Sequence, residues 1–92
     1  ASETFRKLTA EFRRLSIKNP TFYELYMYRL LCHKEIGEFE KALQLAEYME
    51  NLIPDRADAY TFRSLIYDDM GCTAEAEIAR AEAKKRNPNL NI

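Results

Sequence analysis

The side chains that could carry out acid–base or metal chemistry are few in this sequence, and they are poorly spaced for it. His33 is the only histidine, and it directly follows Cys32. Adjacent residues on a helix point about 100° apart, so this pair cannot easily bind one metal ion. Asp68 and Asp69 are also adjacent, whereas general acid–base catalysis needs two groups that converge on one substrate atom. We therefore expect no enzyme activity and no metal site, and we interpret His33 as a core residue.

A phosphate-binding loop is not predicted either, because such loops are rich in glycine and the chain has only two glycines. No cofactor is therefore expected. The formal net charge is −1, which gives no reason to expect nucleic acid. One segment is nevertheless basic on one side, with Arg6, Lys7, Arg13, Arg14 and Lys18. This side could contact phosphates, but no aromatic residue is interleaved with it, so we interpret it as a solvated surface.

The two cysteines, Cys32 and Cys72, lack the spacing of a metal site. Two cysteines in a helical domain are usually free thiols, which favours a reducing compartment, so we expect a cytoplasmic location. No signal peptide is visible, and no apolar run approaches the roughly 20 residues of a membrane span. We therefore expect neither a membrane nor nucleic acid among the partners.

The glycines and prolines are strictly periodic. Gly37 and Gly71 are 34 residues apart, and the three prolines, Pro20, Pro54 and Pro88, follow one another at the same interval. A period of this length is typical of arrays in which each repeat is a pair of helices. The pattern between the punctuating residues is helix, tight glycine turn, helix and a proline-containing link.

Apolar residues at helical spacing predict five helices. They cover residues 3–18, 22–36, about 39–52, a segment that runs to about Met70, and about 73–86. Thr21 and Glu24 have the spacing of a capping box, and Asp55 and Asp58 suit the first turn of the fourth helix. The fifth helix is rich in alanine and charged residues, which is typical of the capping end of an array.

Advancing the chain by one period pairs residues of the same kind. Tyr26 aligns with Tyr60, Leu31 with Leu65, and Ala42 with Ala76; the run AYTFRSLIYDDMG at 59–71 is the most characteristic. In these residues and in its spacing, the chain over about residues 3–88 resembles the tetratricopeptide repeat family. The resemblance implies an all-α fold: a five-helix, right-handed α-solenoid of antiparallel helix pairs with about two and a half repeats.

The implied domain organisation is a single domain over residues 1–92. Residues 3–20 would be the second helix of a half repeat, 21–54 and 55–88 would be full repeats, and 89–92 would be a tail. Two arginines depart from the family pattern, since Arg29 and Arg63 stand where an apolar residue is expected. Either their stems pack while their charged heads reach water, or they pair with buried carboxylates.

The resemblance also implies where a partner would bind, because the first helix of each pair lines a concave groove in this family. Carried over by position, the groove presents residues of the second and fourth helices: Glu24, Met27, Leu31, Lys34, Glu35, Asp58, Thr61, Leu65, Asp68 and Asp69. The spacing of the first five places them on one face of a helix. An apolar floor with acidic flanks suits a peptide or helix with apolar anchors and some positive charge.

The function predicted from these features is a scaffold or adaptor that binds another protein. Two alternatives remain open at this stage. The second helix is apolar nearly all round, so a homodimer could cover it. The domain could also be a regulatory part of a larger enzyme.

Overall fold

The computed structural model describes residues 2–18 and 23–90, with side chains for residues 3–15 and 23–90. Within these ranges the chain forms five α-helices and no strand. They are α1 (Ser2–Lys18), α2 (Tyr23–Glu35), α3 (Phe39–Leu52), α4 (Asp58–Met70) and α5 (Thr73–Arg86). The all-α prediction is therefore confirmed, and so are the predicted bounds of α3 and α5.

The predicted start of α2 is only partly covered by the described residues, whereas the predicted start of α4 is partly wrong. Thr21 lies outside the described residues, so its part of the capping box stays a prediction. The placement of Asp55 in the first turn of α4 is wrong, because α4 begins at Asp58 after a turn in which the Arg56 N–H donates to the Ile53 carbonyl. The N-cap residue is Ala57, and no side chain caps this end. The Asp58 carboxylate instead contacts the guanidinium of Arg56.

Two glycine turns reverse the chain within the helix pairs α2–α3 and α4–α5. Gly37 and Gly71 have φ values of 81° and 78°, the left-handed region that other residues enter only with strain. After α2, the Gly37 N–H bonds to the Lys34 carbonyl and the Glu38 N–H bonds to the His33 carbonyl. The same two bonds recur 34 residues later, so both helices end in a Schellman motif.

The backbone repeats with the 34-residue period beyond these turns. The residues that precede α3 and α5, Glu38 and Cys72, have φ/ψ of −88°/67° and −91°/75°. The residues that follow these helices, Ile53 and Asn87, have −137°/85° and −141°/90°. The sequence period is therefore also a period of local structure.

Helices α2 and α4 both pack against α3, and they point in the same direction. Just before α4 begins, the Arg56 guanidinium lies over the ring of Tyr23, the first residue of α2, 4.2 Å from its centroid. At their last turns, Lys34 Nζ lies 2.8 Å from Asp69 Oδ2. Since the beginnings meet at one end and the ends at the other, the two helices are parallel, and α3 returns antiparallel between them.

The core lies where α2, α3 and α4 meet. Leu30, Met49 and Ile66, one from each helix, are the largest fully buried side chains. Ala42 and Ala46 on α3 are also fully buried, and their small side chains let the neighbouring helices approach closely. Both cysteines, Cys32 and Cys72, are free thiols, as predicted.

We expect the substitution Gly71→Ala to lower the free energy of unfolding by about 1 kcal/mol, because a Cβ is disfavoured at positive φ. No other atom lies within 4 Å of the position that this Cβ would occupy, so backbone strain is isolated from steric clash. Gly71→Asn is the matched control, because asparagine tolerates the left-handed region and should cost less. Urea unfolding followed by circular dichroism measures both, and an alanine variant as stable as the wild type would contradict the assignment.

Candidate functional site

The surface predicted to bind a partner is the face formed by α2 and α4, here called the α2–α4 face. It comprises the ten predicted residues: Glu24, Met27, Leu31, Lys34 and Glu35 on α2, and Asp58, Thr61, Leu65, Asp68 and Asp69 on α4. The ion pair between Lys34 and Asp69 joins its two halves at one end. Because the helices are parallel, residues one period apart lie at the same height along this face.

The apolar residues of the α2–α4 face are unequally exposed. Leu65 exposes 42% of its surface, whereas Met27 and Leu31 are half-buried and pack against the core. Thr61 is also half-buried, and its hydroxyl donates to the Ala57 carbonyl one turn earlier. Leu65 is therefore the apolar residue of this face that is most available to a partner.

Most of the carboxylates predicted to flank the face are already paired within the chain. Asp69 pairs with Lys34, whose side chain is only 15% exposed. Asp68 Oδ2 accepts a hydrogen bond from Arg80 Nη1 at 2.9 Å, and Asp58 contacts Arg56. Glu35 Oε1 lies 3.8 Å from Lys34 Nζ. The face is consequently less acidic than its composition suggests, and Glu24 is the one of its carboxylates that forms no ion pair with another described residue.

A cleft lies on another side of α2, between α1, α2 and α3. Its volume is about 710 Å³, and we call it the basic cleft. Its charged and aromatic lining consists of Arg6, Arg13, Tyr26, Arg29, His33, Glu38, Lys41 and Tyr48. Arg6 and Arg13 belong to the basic side of the first helix. Both residues are exposed, in agreement with the solvated surface predicted for that side, and α2 and α3 also place tyrosines at the same cleft.

A smaller cavity of about 160 Å³ lies between α4 and α5. Each of its lining residues follows a lining residue of the basic cleft by 34 positions: Tyr60, Arg63, Tyr67, Glu75, Ile78, Ala79 and Glu82. The two cavities therefore occupy equivalent places in successive units. Their charges differ, since Glu75 stands where the basic cleft has Lys41, and Glu82 where it has Tyr48. Neither cavity is lined by any of the ten predicted residues.

The two unusual arginines differ in how they are satisfied. Arg63 Nε donates to Glu50 Oε2 at 2.8 Å, so this arginine pairs with a carboxylate, one of the two expected solutions. Arg29 Nε is buried and has no hydrogen-bond partner in the described part of the chain. Burial lowers the pKa of Arg29, because the charged form is poorly solvated, and the nearby positive charge of Arg13 lowers it further.

The other polar groups of the basic cleft are engaged with one another. His33 Nδ1 lies 2.9 Å from Glu38 Oε1, and His33 is buried, as expected for a core residue. This hydrogen bond is the main reason why the pKa of Glu38 is lowered. Burial and a hydrogen bond with Tyr48 raise the pKa of Tyr26 to about 12. Tyr26 therefore stays neutral at physiological pH.

The basic cleft could have been noticed by comparing the two units residue by residue. The sequence has Arg13 and Ser16 one period before Glu47 and Glu50 of α3. The sequence thus offers Arg29 no counterpart of Glu50, the carboxylate that pairs with Arg63. The described residues contain no group of three or more histidine, cysteine or acidic side chains that could hold a metal ion.

Comparison with known proteins finds no family model that matches the chain and no curated protein that matches it. None of the described helices has the length and apolar character needed to cross a membrane.

Replacing each arginine by methionine should separate the two environments. Arg63→Met leaves the Glu50 carboxylate, 15% exposed, without its partner, and we expect a loss of about 1–2 kcal/mol in the free energy of unfolding. Arg29→Met removes a guanidinium with an unsatisfied buried nitrogen, so stability should be unchanged or higher. Urea unfolding measures both variants, and an equal loss in the two would show that Arg29 is as well satisfied as Arg63.

Proposed function

We propose that this protein is an interaction module and that its α2–α4 face binds a peptide or helix of another protein. The observation that carries the proposal is the parallel placement of α2 and α4, which are fixed at both ends and leave Leu65 exposed. Fixed helices supply a preorganised surface, so little ordering of the receptor opposes association. An exposed leucine beside half-buried apolar residues is a suitable anchor point for an apolar side chain.

The partner suited to this face has an apolar anchor with basic residues beside it. Glu24 and Glu35, at the two ends of α2, are the face residues least neutralised within the chain. Their separation of eleven residues corresponds to about 16 Å along a helix. An amphipathic helix of a few turns, with basic residues at both ends of its apolar stripe, would span that distance.

The finer architecture belongs to the same proposal. We infer that the helix pairs stack as a right-handed, tetratricopeptide-like solenoid. The 34-residue repetition of turn geometry and of the cavity linings supports this inference. The free thiols of Cys32 and Cys72 favour a cytoplasmic protein.

Self-association is the weaker candidate. Its motive was the apolar surface of the second helix, but Tyr23, Leu25, Tyr26 and Leu30 of α2 are all buried within the chain. Intramolecular packing by α1 and α3 therefore covers most of what a dimer would have covered.

Leu65→Asp tests the proposal, with Ile78→Asp on α5 as the matched control, because Ile78 is 67% exposed and lies outside the face. Peptides are first selected on the wild type from a displayed random library, and their affinities are then measured by calorimetry. We expect Leu65→Asp to weaken binding about tenfold or more and Ile78→Asp to leave it unchanged. Leu31→Asp is unsuitable, since Leu31 packs against the core and its substitution would disturb folding.

Selected peptides that bind the Leu65→Asp variant as tightly as the wild type would contradict the proposed face. Sedimentation of the same samples at two concentrations tests the alternative. A dimer that the Leu65→Asp substitution dissociates would show that the face binds a second copy of this chain.

A further inference from the structure

Arg29 and Arg63 occupy equivalent positions one period apart, and only Arg63 has a carboxylate beside it. Glu50 of α3 lies against Arg63 of α4, with its Oε2 2.8 Å from Arg63 Nε. In the first unit, Arg29 occupies the equivalent position with its Nε buried and without an acceptor among the described residues. The fold thus contains two equivalent arginines, one paired with a carboxylate and one whose Nε has no acceptor among the described residues.

The charges of the basic cleft do not cancel within the chain. Glu38 is the acidic residue of its lining, and it is shared: its Oε2 lies 3.6 Å from Arg6 Nη1 and 3.4 Å from Lys41 Nζ, while its Oε1 contacts His33. Arg13 and Arg29 take part in none of the ion pairs or hydrogen bonds formed by the described side chains. Two guanidinium groups at the same cleft therefore have no carboxylate partner among the described side chains.

We propose that the basic cleft binds a phosphate monoester, whose dianion is held by the guanidinium groups of Arg13 and Arg29. A phosphate monoester carries a charge of about −1.5 to −2 at neutral pH, which matches two uncompensated cations better than a single carboxylate does. Planar guanidinium groups bind phosphate oxygens through paired hydrogen bonds, and the buried Nε of Arg29 gains the acceptor that it lacks.

The remaining lining suits the organic part of such a ligand. Tyr26 and Tyr48 pack with ring centroids 4.7 Å apart, and Leu45 also lines the cleft. These side chains offer an aromatic and apolar wall beside the cations. The volume of about 710 Å³ is larger than one phosphate needs, so it accommodates the group to which the phosphate is attached.

The cavity between α4 and α5 is not expected to bind the same ligand. Its arginine is already neutralised by Glu50, and its lining includes two further carboxylates, Glu75 and Glu82. Its volume of about 160 Å³ is also much smaller. It therefore serves as a negative reference within the same molecule.

The test is a titration of the ¹⁵N-labelled protein at constant ionic strength, observed at the Nε–Hε resonances of its arginines. The probes are inorganic phosphate, phenyl phosphate and an acetylated Ala-phosphoserine-Ala amide. We expect saturable shifts of the Arg29 resonance and little change at Arg63. Equal affinities for phenyl phosphate and the peptide would assign the site to free phosphate esters, whereas tighter peptide binding would assign it to phosphorylated protein segments.

Two adjacent residues of α1 supply matched variants. Arg13→Gln removes a cleft cation, whereas Arg14→Gln removes the same charge from an exposed residue that pairs with Glu11 and does not line the cleft. We expect Arg13→Gln to weaken phenyl phosphate binding by about tenfold or more and Arg14→Gln to have little effect. Arg29→Lys, which keeps the charge but loses the paired hydrogen bonds, should weaken binding as well.

The proposal is overturned if no probe gives a saturable shift below about 10 mM, or if Arg13→Gln and Arg14→Gln weaken binding equally, since either outcome would indicate nonspecific attraction. Shifts centred on Arg80 or Arg86 would overturn it too. Unchanged thermal melting of the variants excludes unfolding as the cause. The Leu65→Asp variant should bind phenyl phosphate normally, so failure of the cleft and failure of the α2–α4 face are distinguishable.

Discussion

The burial of α3 between two parallel helices is the constraint on which the rest of the structure depends. Ala42, Ala46 and Met49 of α3 are fully buried, and they contribute to one core with Leu30 of α2 and Ile66 of α4. Helix α3 packs against both α2 and α4, so its burial fixes where these two helices lie. The contacts of Arg56 with Tyr23 and of Lys34 with Asp69 bring the corresponding ends of α2 and α4 together, which positions the residues of the α2–α4 face.

The repeated backbone does not dictate the side chains, and equivalent positions around Arg29 and Arg63 carry different charges. Beside Arg63 of α4, the preceding helix α3 supplies Glu50 and closes the site internally. Beside Arg29 of α2, the preceding helix α1 supplies another cation, Arg13, and leaves the site open. Arg29 is half-buried and lies over the Tyr26 ring, but its buried Nε lacks an acceptor among the described residues. An unsatisfied buried nitrogen reduces stability, and such local costs are typical of places that bind a ligand. The same fold thereby carries a stabilising ion pair in one unit and a candidate anion site in the other.

The sequence predicted what depends on backbone conformation and on period. Gly37 and Gly71 predicted two left-handed turns, and apolar spacing predicted the approximate bounds of α3 and α5. It did not predict how charged side chains pair across helices, because Lys34 with Asp69 or Arg80 with Asp68 depends on the height and rotation of neighbouring helices. Asp55 was placed in α4 wrongly because a turn over residues 53–56 precedes the helix, and capping preferences alone did not predict that turn. The assignment of function to the α2–α4 face stays a prediction.

Paramagnetic relaxation tests the central claim, the parallel packing of α2 and α4, most directly. A nitroxide label is attached at residue 24 or residue 35 of a variant that lacks both native cysteines, and the broadening of backbone amide signals along α4 is measured. The account predicts that the label at 24 broadens the amides near Asp58 most and that the label at 35 broadens those near Asp69 most. The reverse order, or the same profile from both labels, would contradict it.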